Sequence, residues 1–410
     1  MAAEFYLARR YLFNHRPGAW GWLIGWMATG SVALGVAALI VTLAVMTGFR
    51  EDIREKILGV QPHVIVSAFN GKLDGADPAF SKVLDHRDDV VAWSPYVSGQ
   101  VLIGRGQQSS GAMVKGVDPV REPKVANLNA KIVAGDWNTL ASSEAEKRPR
   151  IVLGQELARN LGARLGDTVW LITPGSIGVS ALSIPKAHLF LVSGIVQSGL
   201  YDYDSSLAYV AIPAAQELFG MENAVSGVGI RIKDPDLSDR VSRELSIQFD
   251  GRYWVRSWLS LNRNLFSALK LEKTVMFIIL TMVTFVASVM IVSNLLLSIT
   301  QKIKEIGILR AMGATGSTVR RVFLLQGALM GVVGTLLGTA IGLALSVILE
   351  KTQFIKLPAD VYYIDKLPVR IDFGDVGMVV FAAVFIVLAA TLYPAHRATQ
   401  IDPLEAIRYG

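Results

Sequence analysis

"WGWLIGWMATGSVALGVAALIVTLAVMTGF" fills residues 20–49 without an Asp, Glu, Lys or Arg. A bilayer-crossing helix needs about 20 apolar residues to span a hydrocarbon core of about 30 Å. The apolar part of a secretory signal is only about 7 to 15 residues and leads to a small-residue cleavage site. This run outlasts a signal and has no clear A-x-A exit, so it reads as an uncleaved membrane anchor. Before it, Arg9, Arg10 and Arg16 alternate with Phe5, Tyr6, Leu7, Tyr11 and Leu12. That pattern suits either an amphipathic segment on the membrane surface over residues 1–19 or a plain basic tail.

Three more charge-free runs follow: "VMFIILTMVTFVASVMIVSNLLL" (275–297), "VFLLQGALMGVVGTLLGTAIGLALSVIL" (322–349) and "VGMVVFAAVFIVLAATLYPA" (376–395). One Lys or Arg placed mid-span costs roughly 2.5 to 3.5 kcal/mol, so four clean runs are not accidents. The expected spans are 20–49, 265–300, 319–350 and 374–395. Composition agrees: 52% of the 410 residues are hydrophobic and 18% charged, against about 25% charged in ordinary soluble domains. The absence of cysteine excludes disulfides and thiolate metal sites. Many of the basic residues behind the net charge of +6 flank apolar runs, where they orient spans; nucleic acid is not an expected partner.

Orientation follows from those charges. Lys302, Lys304, Arg310, Arg320 and Arg321 surround the connection 301–318 against Glu305 alone, which places that connection and the N-terminal segment in the cytoplasm. The connection 351–373 carries Lys351, Lys356, Lys366 and Arg370, a contrary signal. Four spans nevertheless put it outside and return the tail, 396–410, to the cytoplasm. Residues 50–264 then form a large external domain. Stretches such as "HVIVSAF", "TVWLITP" and "HLFLVSGIV" read as strands, and "GFREDIREKILG", "GQELARNLGARLG", "PAAQELFG" and "DLSDRVSRELSIQF" as helices. The β-rich middle, 133–212, interrupts strand and helix units on both sides and suggests one domain inserted in another. The expected fold is an α-helical membrane protein with four transmembrane helices and a mixed α/β domain between helices 1 and 2.

No catalytic set emerges. The five histidines are scattered, with no H-E-x-x-H, and no serine sits in G-x-S-x-G. No catalytic residue, metal site or cofactor is therefore expected on this chain. "YDYD" (201–204) reads as a solvated turn between strands in preference to a cation site formed by its two alternate carboxylates. "GATGST" (313–318) has the glycines and hydroxyls of a phosphate cradle, but neither the G-x-x-x-x-G-K-[ST] spacing nor its lysine. As a helix, the residues before it put Glu305, Ile308, Leu309 and Met312 on one face, with Gly313 and Gly316 as helix-ending positions. Such a helix is either an interfacial connector or a docking element.

"KEIGILRAMGAT" (304–315) after the span exit "SNLLL" (293–297), with "FLLQGALMGVVGTLLG" (323–338) behind it, resembles the core of the FtsX/MacB-type ABC transporter permeases. The ending "TLYPAHRATQIDPLEAIRYG" (391–410) is similar to that family's, with Ile407 where Leu is common. "FYLARRYL" (5–12), "MTGFREDIREKILGVQPHVIV" (46–66) and "YDYDSSLAYV" (201–210) resemble the LolC/LolE subgroup, the permeases of lipoprotein-releasing complexes. The resemblance covers essentially the whole chain. It implies a MacB-like periplasmic core, a bacterial inner-membrane location, and ATP-driven extraction of acylated lipoproteins from the outer leaflet to the periplasmic carrier LolA.

The resemblance makes residues 301–318 a coupling helix seated on a LolD-like ATPase dimer, with Lys304, Glu305, Ile306, Gly307, Leu309, Arg310, Gly313 and Ala314 as its contact set. ATP and magnesium would be held by that ATPase. Two coupling helices per dimer imply a second permease chain, either a LolC/LolE partner or a second copy. Position and side-chain type suggest an acyl-chain path along Val41, Val45, Met46, Phe49, Phe266, Leu269, Met276 and Ile279, with ordinary lipid-facing packing as the equal alternative. In "TPGSIGVSALSIP" (173–185), Pro174, Gly175, Ile177, Val179, Leu182, Ile184 and Pro185 make an apolar loop. In LolC-like subunits that region recruits the carrier, which favours a LolC-like or dual-role chain. The spacing of Gly327, Gly331, Gly334, Gly338 and Gly342 permits close helix approach, within the four-span unit or between subunits. Asn294 is expected to bond a neighbouring helix. A MacB-like efflux permease and an FtsX-like regulator of a periplasmic enzyme remain as alternatives, although MacB carries a fused ATPase and FtsX a smaller external domain.

Overall fold

The structure, a computed structural model, describes residues 19–69, 71–74, 78–144, 148–173, 187–352 and 367–400. Two compact units result: a helical unit from Met1–Arg50, Ala268–Ile355 and Leu367–Gly410, and an α/β unit from Glu51–Ser267 with Lys356–Lys366.

The helices of the first unit are α1 (Ala19–Leu58), α2 (Arg263–Gln301), α3 (Ile303–Ala311), α4 (Gly316–Thr352) and α5 (Phe373–Arg397). All but α3 contain a stretch long and apolar enough to cross a membrane. The helix that carries the first apolar run does not stop at Phe49. "REDIREKIL" has no Gly or Pro to break it, so the expected separate helix is the end of α1, which stops before Gly59.

Small residues set how these helices pack. Gly25 lies against Asn294 and Gly35 against Thr284, so residue numbers fall along α2 as they rise along α1. Gly334 faces Thr29 and Val32, Gly338 faces Ala33 and Val36, and Gly342 faces Ala37 and Ile40, which makes α4 parallel to α1. Gly327 meets Thr391 and Gly331 meets Val387, which makes α5 antiparallel to α4. The glycine row thus works inside the unit, on two helices in turn. A Cβ on Gly338 would come 2.5 Å from the Ala33 carbonyl oxygen, closer than any real side chain approaches. With 61% of its apolar window buried, against 22 to 28% for the others, α1 is the central helix. Asn294 is buried, and its Nδ2 lies 3.9 Å from the Met330 sulfur on α4.

Among the described residues, the α/β unit has twelve strands: β1 (Val64–Ala68), β2 (Leu73–Asp74), β3 (Val90–Arg105), β4 (Gln108–Val117), β5 (Ile132–Gly135), β6 (Arg150–Gly154), β7 (Thr168–Ile172), β8 (His188–Val196), β9 (Leu207–Ala211), β10 (Ala224–Val225), β11 (Gly227–Ile232) and β12 (Tyr253–Ser257). Ten join one sheet in the order β12-β1-β11-β3-β4-β9-β6-β8-β5, with β7 bridging β3 and β8; β2 and β10 pair separately. The 16-residue β3 organises it. Its first half pairs with β11, and its second half with β4 on one side and β7 on the other. Pairing then runs β4, β9, β6, β8, β7 and back to β3, which closes a six-stranded ring.

This corrects the expected insertion at 133–212. The β-rich part begins at Tyr96 and shares β3 with the flanking sheet, because β9 docks parallel on β4 between Met113↔Leu207 and Val117↔Ala211. One core cluster runs through both parts, including Val64, Val101, Ile103, Leu153, Phe190 and Ile230, each at most 3% exposed, and a second gathers Val117, Leu128, Trp137, Val152 and Tyr209. The expected helices at Gln155–Asn160, Ile212–Phe219 and Ser238–Gln248 are present. "YDYD" is not a solvated turn. Tyr201–Ser206 is a helical turn, and its Asp204 is 5% exposed, accepting the Ser198 N–H at 2.6 Å and the Gly199 N–H at 3.2 Å. Buried main-chain donors require such acceptors, so the carboxylate belongs inside.

Candidate functional site

Between the second and third spans, α3 is held by its buried side. Ile306 is 2% exposed in the core of the helical unit, Gly307 is buried beside it, and Arg310 donates from Nη1 to the Thr399 carbonyl at 3.4 Å. Leu309 and Ala314 are half-buried. The other face carries Lys304, Glu305, Ile308 and Met312 in the open, the last two 46 and 80% exposed. Lys302 and Glu305 form an ion pair at 3.8 Å across that surface. An exposed Met beside an exposed Ile, rimmed by charge, has the composition of a contact patch.

"GATGST" ends one helix and begins the next. Gly313 has φ +99°, a left-handed conformation that only glycine adopts without cost, and the Ala314 N–H closes onto the Leu309 carbonyl at 3.0 Å. The Thr315 carbonyl then accepts the Thr318 N–H at 3.0 Å as α4 starts. The hydroxyls of Thr315, Ser317 and Thr318 bond one another rather than framing a cavity.

The proposed coupling set is therefore split. Lys304, Glu305 and Gly313 are exposed, whereas Ile306 and Gly307 seat the helix and Arg310 ties it to the residues after α5. Ile308 and Met312 complete the outward face.

Of the acyl-path candidates, Val41, Val45, Met46, Phe49, Leu269 and Met276 are half-buried and Ile279 is 50% exposed. The α1–α2 register brings Val41 level with Ile279 to within a residue, and Val45 to within two residues of Met276. Phe266, in the α/β unit, is half-buried and set edge-on to Trp258 at 5.3 Å. Composition gave no signal for the charged cluster at this end of α1: Lys273 and Asp375 form an ion pair at 2.7 Å, and Thr47 donates to Asp375 at 3.0 Å.

The apolar loop with Pro174, Gly175, Ile177, Val179, Leu182, Ile184 and Pro185 lies outside the described residues. Its flanking strands β7 and β8 are an antiparallel pair, from Thr168↔Leu191 to Leu171↔His188. Elsewhere in the α/β unit, Gln61 just after α1 donates to the Tyr203 hydroxyl, and Asn262 just before α2 donates to the Gln61 side-chain oxygen at 3.1 Å. The "YDYD" turn is thus bonded to the segment that follows α1, and Asn262 ties the segment before α2 to that same Gln61. Among the described residues, no three His, Cys, Asp or Glu side chains converge as metal ligands.

The MacB-like periplasmic core domain family matches residues 26–247, and the FtsX-like permease C-terminal family matches residues 277–403. The chain is 35% identical to the lipoprotein-releasing system transmembrane protein LolC of Neisseria meningitidis serogroup B, over 99% of both chains. It is 36% identical to the LolC of Xylella fastidiosa strain 9a5c, over 98% of this chain and 97% of that one. The LolE of Haemophilus influenzae is 29% identical over 99% of both. With four apolar helices and these relatives, this is a multi-pass membrane protein, and it belongs to the LolC/LolE family of lipoprotein-releasing system transmembrane proteins.

Proposed function

We propose that this chain is the permease subunit of an ATP-driven complex that lifts acylated lipoproteins from the outer leaflet of the inner membrane and passes them to the periplasmic carrier LolA. The observation that carries the energy-coupling half is α3: a short helix between two spans, fixed by Ile306 and Arg310, with Glu305, Ile308 and Met312 facing out. A rigid helix with an apolar and charged outer face can transmit the closing of an ATPase dimer to α2 and α4, to which it is joined directly. On this reading the α3 end and both termini are cytoplasmic, the α/β unit is periplasmic, and ATP and magnesium stay on a LolD-like partner.

Extraction is costly because each buried CH₂ contributes about 0.8 kcal/mol, so a two- or three-chain anchor resists exposure by some tens of kcal/mol. Half-buried apolar side chains such as Val45, Met46, Phe49 and Met276 offer the chains a surface to follow. The carrier is received by the apolar sequence 173–185 that joins β7 to β8. The chain is 29% identical to the LolE of Haemophilus influenzae and 28% to its LolC, a balance that supports one permease filling both positions as a pair of copies.

The test is reconstitution of this chain with the ATPase and an acylated lipoprotein, with soluble LolA outside. ATP-dependent transfer is the expected result. Release that ignores ATP, or hydrolysis with no transfer, overturns it.

A further inference from the structure

The main-chain pairing of β1 with β12 runs on to a last rung, where the Trp258 N–H donates to the His63 carbonyl at 2.9 Å. Beyond it, the segments that lead to α1 and α2 are joined by side chains. Gln61 accepts from Asn262 Nδ2 at 3.1 Å and donates from its own Nε2 to the Tyr203 hydroxyl. Each of the three is fixed at its main chain. The Gln61 N–H closes onto the Ile57 carbonyl at 2.8 Å. Pro62 follows with a locked φ, packed so closely over β11 that a Cβ on Gly229 would come 2.6 Å from its ring. The Asn262 N–H and its Nδ2 both reach the Trp258 carbonyl, at 3.1 and 2.8 Å. Tyr203 stands in the turn that Asp204 anchors, and its ring packs against the core cluster around Trp137 and Tyr209.

Three stiff posts therefore meet at one amide. Two neutral hydrogen bonds part far more readily than the continuous ladder beside them. The clasp has two discrete arrangements, joined and parted, which is what an element that couples distant parts must have. A change in the spacing of residues 61 and 262 either breaks the Asn262 bond or draws Gln61, and with it Tyr203, along. The turn so moved, Tyr201–Ser206, lies between β8 and β9, and β8 follows the 173–185 sequence. We propose that Gln61 is a positioning residue for lipoprotein release: it holds the roots of α1 and α2 at one spacing and links that spacing to the Tyr201–Ser206 turn under the ring of strands. This rests on the transport role proposed above and names the residue through which the two span-leading segments act on the ring.

Three variants of the full chain test it. Gln61→Leu makes neither bond; Gln61→Glu offers a carboxylate that accepts from Asn262 and from a reversed Tyr203 hydroxyl; Tyr203→Phe cuts one arm. The first readout is hydrogen–deuterium exchange of the chain alone in vesicles. Gln61→Leu should speed exchange in both 197–206 and 258–264, Tyr203→Phe in 197–206 alone, and Gln61→Glu should match the wild type. Unchanged exchange in Gln61→Leu overturns the clasp. The second readout is lipoprotein passed to LolA per ATP hydrolysed, with the chain reconstituted beside its ATPase. Gln61→Leu should lower that ratio on the order of tenfold with hydrolysis and lipoprotein binding intact, and Gln61→Glu should restore it. A residue that only supports the fold would lower hydrolysis, binding and transfer together; that result, or a normal ratio, overturns the positioning role. Failure of the wild type to transfer overturns the transport role instead, and the exchange result still decides the clasp.

Discussion

Lys273 of α2 donates from Nζ to both carboxylate oxygens of Asp375 in the first turn of α5, at 2.9 and 2.7 Å. Thr47 of α1 donates to the same carboxylate at 3.0 Å and accepts from Lys273 at 3.3 Å, so three spans meet in one charged knot. The side chains are only 23 and 16% exposed, which removes most of the screening that makes surface ion pairs weak. Removing one partner leaves the other charge half-buried and unpaired. Lys273→Met or Asp375→Leu should each destabilise the helical unit by about 3 kcal/mol, the low end for a broken buried pair. The double variant Lys273→Met with Asp375→Leu should recover part of that loss. Unfolding in denaturant, run as a double-mutant cycle, checks it; strictly additive losses would mean the knot carries no coupling.

Two neighbouring residues of α3 should fail in different ways. Ile306→Asp puts a charge into the core of the helical unit and should lower stability by several kcal/mol. Ile308→Asp alters only the open face and should leave unfolding within about 0.5 kcal/mol of the wild type. If α3 seats an ATPase, Ile308→Asp should nonetheless cut co-purification of that ATPase and uncouple hydrolysis from release. Normal co-purification would reduce α3 to a connector.

The helical unit was legible in the sequence because four charge-free runs leave the backbone one way to satisfy itself in lipid, and because glycines at every third or fourth position announce close packing. Which neighbour each glycine meets was not legible: Gly331 and Gly334 sit one turn apart and face Val387 and Val32 on different helices. In the α/β unit, "VVAWSPYVSGQVLI" reads as a strand, but nothing local says that its halves serve different partners. Register between strands far apart in sequence comes from the packed core, not from alternation. The same limit hid the Lys273–Asp375 knot, whose partners are 102 residues apart.

Asp204 is the sharpest case, because composition makes "YDYD" look solvated while tertiary structure turns one carboxylate onto the buried Ser198 N–H and the half-buried Gly199 N–H. Lys131 adds to the same loop, donating to the Ser198 carbonyl at 3.0 Å; its burial holds its pKa below the ordinary lysine value, partly offset by the Asp204 charge. Asp204→Ala should cost about 2 to 3 kcal/mol, the desolvation penalty of donors that lose a charged acceptor. Asp202→Ala, on the exposed side of the same turn, should cost less than about 0.5 kcal/mol. Equal costs in thermal or denaturant unfolding would return the turn to the surface role its composition suggests.

His63, at the start of β1, gives the α/β unit a pH dependence with a defined sign. It is 4% exposed, its Nδ1 lies 3.1 Å from the Ile232 carbonyl oxygen and 3.3 Å from the Ile232 nitrogen, and its own carbonyl accepts the Trp258 N–H at 2.9 Å. Burial, and then the charge of Arg231, hold its pKa below the ordinary 6.5. The unfolded chain therefore takes up the proton first, and between the two values it binds more protons than the folded one. The stability contributed by neutral His63 is complete above the ordinary value and declines as pH falls through it. The slope reaches at most about 1.4 kcal/mol per pH unit for one proton, and the decline levels off at the lowered folded value. Denaturant unfolding of the full chain, followed by tryptophan fluorescence from about pH 8 down to about pH 5, should show this loss. His63→Gln should flatten the part due to this residue. A wild-type profile that rises toward acid, or a variant with an unchanged slope, would show that the buried imidazole is not the group being titrated.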